Sequence, residues 1–60
     1  MNLRTYEIIY TDTSEEGGKD YSVITSAKWA DDAVAELKKN DGGFQRGTKV
    51  IKSVEDITGD

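Results

Sequence analysis

The chain has no cysteine and no histidine. The first absence excludes disulfides and thiolate metal sites. The second removes the commonest metal ligand and the usual general base. Ser14, Ser22, Ser26 and Ser53 therefore have no imidazole to activate them as nucleophiles. Proline is also missing, as are repeats, linkers and low-complexity tracts, so residues 1–60 read as a single small domain. No apolar run is long enough for a membrane span or for the h-region of a signal peptide, and the expected location is cytoplasmic. A chain of this size has little volume to enclose a substrate cleft. The expectation is a protein that is not an enzyme and takes no cofactor.

Acids outnumber bases 12 to 8, for a net charge of −4 and a sequence pI near 4.6. Wholesale binding to a nucleic-acid backbone needs the opposite balance. The acids gather in Asp12–Asp20 and in the tail at Glu55, Asp56 and Asp60, whereas Lys38, Lys39, Arg46, Lys49 and Lys52 face Asp41 alone. A dipolar surface of this kind orients a molecule toward a partner.

Periodicity supplies the elements. Residues 3–11 alternate, with Tyr6, Ile8 and Tyr10 on one face and Leu3, Thr5, Glu7 and Ile9 on the other, which predicts a strand. Asp12–Asp20 is polar and contains Gly17-Gly18, as a hairpin loop would. Tyr21–Ser26 is a second strand, with Tyr21, Val23 and Thr25 facing the core. Within Ser26–Asn40, Ala30, Ala33, Val34 and Leu37 share one helical face, with Asp31 and Asp32 early and Lys38 and Lys39 late, as the helix dipole favours. Ser26, or a residue near Lys28, would cap it. Residues 42–47 read as a loop whose Phe44 plugs the end of the core. The third strand runs from Thr48 to about Glu55, with Val50 and Val54 inward and Ile51 outward. Its alternation is imperfect, which a β-bulge or a rim position for Lys52 explains. Ile57 is expected at the core edge, with frayed residues after it.

The fold class is therefore α+β: a ββαβ unit with a three-stranded antiparallel sheet, one helix packed on one face and strand order 2-1-3. Pairing of the third strand parallel to the second is the alternative, and antiparallel pairs are commoner.

Three stretches could carry chemistry. Asp12, Ser14, Glu16, Gly17 and Asp20 match part of a calcium-loop spacing, but the last ligand position falls on Val23 and the flanks are strands. Residues 42–49 are Gly-rich and end in basic residues. A phosphate loop, however, enters a helix N-terminus, whereas this one leaves a helix. Phe44, Arg46, Lys49 and Lys52 form an alternative nucleic-acid contact.

One helix covers one sheet face, which leaves Leu3, Ile9, Ile24 and Ile51 on the other. With Trp29 at the helix start, these are the candidate protein-binding residues. A sheet edge open to an added strand is a second route, and a purely structural homodimer is a third reading.

The helix segment Asp-Asp-Ala-Val-Ala-Glu-Leu at 31–37 and the closing strand Lys-Val-Ile-Lys-Ser-Val-Glu-Asp at 49–56 give a layout that resembles short accessory proteins of phages and mobile elements. It is similar in organisation to the small phage inhibitor of bacterial RNA polymerase. The resemblance implies a stand-alone binder that modulates a host protein. It carries over no functional residue.

Overall fold

The computed structural model describes residues 2–59. Asp60, expected in the acidic tail, lies outside them. Strand β1 (Arg4–Asp12), strand β2 (Lys19–Ala27), helix α1 (Ala30–Asn40), a short helix α2 (Gly42–Arg46) and strand β3 (Lys49–Asp56) follow in order. The sheet is antiparallel with order β2-β1-β3, as expected.

β1 and β2 pair without interruption from Arg4↔Ala27 to Asp12↔Lys19. Backbone pairing to Thr11 and Asp12 draws Asp20 and Lys19 into β2, so the loop shrinks to residues 13–18. Gly17 and Gly18 turn it at φ of 79° and 71°, a region closed to most side chains. Pairing of Arg4 with Ala27 also keeps Ser26 in the strand. The helix is consequently capped by Trp29, whose extended backbone accepts the Ala33 N–H at 3.1 Å. Ser26 does not cap it, and the cap falls on the neighbour of Lys28, the second of the two expected places.

The Ala-rich stripe of α1 lets the helix sit close on the sheet. Ile8 and Ala33 are fully buried, Tyr6 nearly so, and Ala27, Val34, Leu37, Ile51 and Val54 pack around them. The result is a slab of 41 × 19 × 12 Å. Its thinnest dimension has room for one sheet and one helix and no second covering layer.

β3 contains the bulge. Ile8 pairs with Val54 and Ile9 with Ser53, but Tyr10 pairs with Ile51, which leaves Lys52 as the extra residue. An extra residue reverses the side-chain alternation beyond it. Ile51 therefore lies on the helix side against the core, and the expectation that it faces outward is corrected. Val50 takes the outward place and is 52 % exposed.

Residues 42–46 form α2 and not a loop. Asp41 accepts the Gly43 N–H at 2.9 Å, and Gly47 closes the helix at φ 84°. Both devices offset the poor helix propensity of two leading glycines. Phe44 meets Tyr10 edge-on at 5.3 Å between centroids, and Tyr10 stacks on Tyr21 at 5.6 Å, which extends the core toward the loop end. At the other end Ile57 is exposed, while Thr58 is tied down and not frayed. Its hydroxyl accepts the Thr5 N–H at 2.8 Å and donates to Asp56 at 2.6 Å.

Candidate functional site: the uncovered sheet face

Both helices pack on one side, so the opposite face of the sheet is open. Register determines its pattern. The rows running from β2 through β1 to β3 are Ser26–Thr5–Ile57, Ile24–Glu7–Glu55 and Ser22–Ile9–Ser53, with Asp20–Thr11–Val50 beyond them. Apolar side chains thus occupy diagonal positions, Ile24 to Ile9 to Val50, with Ile57 and Leu3 on a parallel line. Diagonal neighbours in a sheet stand about 7–8 Å apart, within reach of long side chains. Leu3 and Ile24 are 60 % and 56 % exposed, whereas Ile9 at the centre is half-buried by its flanking strands.

Glu7 and Glu55 stand directly opposite each other within this pattern. Like charges placed so are destabilising, and Ile24 on the other side of Glu7 supplies no cation. The Lys52 ammonium lies elsewhere on this face, bonded to Asp20 at 3.0 Å, and Asp20 also accepts the Thr11 hydroxyl at 2.6 Å. Those bonds, the Thr11 hydroxyl first, hold the Asp20 carboxyl below its ordinary range.

Of the expected protein-binding residues, Leu3, Ile9 and Ile24 share the open face. Ile51 does not, and Val50 and Ile57 join it. Broken alternation in β3 is the only signal in the chain that points to the exchange of Ile51 for Val50. Trp29 is exposed at the end of the sheet where β2 passes into α1, close in register to Leu3. Its backbone caps the helix, and the residue is 67 % exposed.

The basic segment is divided. Phe44 is half-buried against Tyr10. Lys49 is bonded to Asp41 and lies over the Tyr10 ring, 5.4 Å from its centroid. These two occupy the helix side with Arg46, while Lys52 sits on the opposite face. Asp41 is held below the usual carboxylate range, first by Lys49 and then by the Gly43 N–H. In the hairpin, Asp12 Oδ1 accepts both the N–H and the hydroxyl of Ser14, at 2.9 and 2.6 Å, so that oxygen is engaged within the turn. Among the described residues no three acidic side chains are grouped to hold a metal ion, and no pocket is enclosed. Among the described residues no helix is long and apolar enough to cross a membrane.

No protein-family model matches the chain, and neither curated proteins nor solved structures yield a match.

Proposed function

We propose that this chain is a non-catalytic protein-binding module of the cytoplasm, which docks its open sheet face onto a larger protein and modulates it as small phage-type accessory proteins do. The supporting observation is the Glu7–Glu55 pair set among exposed aliphatic side chains. A folded domain with a small core gains nothing from opposed carboxylates in mid-sheet. A partner that brings a lysine or arginine between them removes the repulsion, while its aliphatic neighbours cover Ile24, Ile9 and Val50. The partner surface is accordingly apolar with a central cation. Trp29 at the sheet end extends the contact.

The test compares capture by the wild-type chain with capture by Val50→Asp, Glu55→Lys and, as a control on the far side, Lys38→Ala. The expected result is a protein retained by wild type and Lys38→Ala and lost by both open-face variants, with circular dichroism showing each variant folded. Equal capture by all four chains rejects the open face as the docking surface.

A further inference from the structure

The free edge of β2 carries a second surface. The Thr5 C=O accepts from Ile57 and its N–H donates to Thr58, so the backbone groups of odd-numbered β1 residues point toward β3. Even-numbered β1 residues then point toward β2, where they pair with Tyr21, Val23, Thr25 and Ala27. The remaining β2 residues, Asp20, Ser22, Ile24 and Ser26, turn both N–H and C=O outward, past the last strand of the sheet.

The two edges are not equivalent. β3 is guarded by its bulge and by Lys49, Lys52, Glu55 and Asp56. Such features normally prevent strand addition. β2 has none of them from Tyr21 to Ala27: the segment is uncharged, lacks proline and glycine, pairs in unbroken register and is rich in β-branched residues. A buried core of Tyr6, Ile8 and Ala33, with no disulfide, is also small for independent stability.

We propose that β2 pairs antiparallel with β2 of a second copy, so that two sheets join into one of six strands. Pairing symmetric about Ile24 is self-complementary. On the open face it sets Ser22 opposite Ser26 of the second copy and Ile24 opposite Ile24, and it brings Asp20 toward the chain end of β2 that Lys28 follows. On the helix face it sets the bulky Tyr21 against the small Ala27, and Val23 against Thr25. The outward backbone groups of Ser22, Ile24 and Ser26 are paired and no like charges meet. Face-to-face stacking of two open faces would instead crowd the Glu7–Glu55 pairs of both copies together. Edge pairing leaves each open face uncovered and places them side by side, so the inference stands apart from the docking function above.

The experiment is sedimentation equilibrium of the full chain from micromolar to about millimolar concentration, with amide hydrogen exchange followed by NMR. A monomer–dimer equilibrium is expected, with the Ser22, Ile24 and Ser26 amides gaining protection as concentration rises. Ser22→Pro removes an outward donor and should weaken the dimer at least tenfold. Ile24→Lys, which changes only an exposed side chain, should do the same and carries the test if Ser22→Pro does not fold. Val50→Asp and Glu55→Lys should leave the dimer intact. A monomer at millimolar concentration overturns the proposal. So does a dimer that survives both Ser22→Pro and Ile24→Lys, or one whose β2 amides stay unprotected.

Discussion

Lys52 on one edge strand donates to Asp20 on the other, at 3.0 Å, so the two side chains together bridge the width of the sheet over β1. Both side chains are about half exposed, and a surface pair of this kind contributes little to stability. The Thr11 hydroxyl is the stronger influence on Asp20. Thr11→Val should therefore raise the Asp20 carboxyl pKa more than Lys52→Met does, as read by NMR titration of the carboxyl carbons. The opposite order would make the ion pair the principal contact.

Asp56 gives the fold an acid limit. The Thr58 hydroxyl, then Arg4, then the Thr58 N–H lower its pKa to about 2. An unfolded aspartate titrates near 3.9. Above that value the carboxylate is ionised in both states and its contribution is complete; as pH falls from about 4 toward 2, the unfolded chain takes the proton first and the contribution is lost. Thermal midpoints should drop over this window. Asp56→Asn should flatten that part of the profile.

Tyr21 marks the alkaline side. Its hydroxyl donates to Glu15, and chiefly for that reason its pKa is raised to about 12 from an ordinary value of 10. The proton is held more tightly in the folded chain, so the contribution is whole below pH 10 and disappears as pH rises toward 12. Ultraviolet titration should resolve a tyrosine that ionises near pH 12. Glu15→Ala should bring it back toward 10.

Ile8 is fully buried at the centre of β1. Ile8→Ala should cost about 2–5 kcal/mol, against a total of roughly 3–9 kcal/mol for a chain this short. Much of the population should be unfolded at room temperature in a urea titration. Ile24→Ala on the exposed face should leave the midpoint nearly unchanged.

Gly43 lies beneath the Lys49 stem, and a Cβ added there would stand 2.8 Å from Lys49 Cδ. Gly43→Ala should displace Lys49 from both Asp41 and the Tyr10 ring. NMR should show the ring-current shift of the Lys49 side chain disappear, together with a lower thermal midpoint. An unchanged shift would mean that the backbone moves and the lysine stays.

Strand alternation at Tyr6–Tyr10 and the helical spacing of Ala33, Val34 and Leu37 make the ββαβ layout and the strand order legible in the amino-acid sequence. Features that depend on a distant partner are not. Lys19 and Asp20 look like loop residues until the backbone of Asp12 and Thr11 offers them bonds. Ser26 looks like a cap until Arg4 and Thr5 hold its stretch in the sheet. α2 opens with two glycines, and its signals are a single aspartate before it and a left-handed glycine after it. The open face is legible as a surface, with Leu3, Ile9 and Ile24 placed on it. Its full composition is not, because a bulge can be inferred from broken alternation but not assigned to one residue. The opposition of Glu7 and Glu55 is visible only once β3 has a register.

The extra residue at Lys52 also makes β3 a strand with two phases. The segment before it is keyed to Tyr10 and the aromatic end of the molecule; the segment after it is keyed to Ile8 and the helix. A strand without such a break transmits any slip along its whole length and turns itself inside out. Here a shift arising at the α2 turn can be absorbed at one position, and the half that presents Ser53 and Glu55 keeps its frame. The aromatic end is therefore free to vary in length and sequence with only Val50 moving on the other side of the sheet, while Ser53 and Glu55 hold their places there.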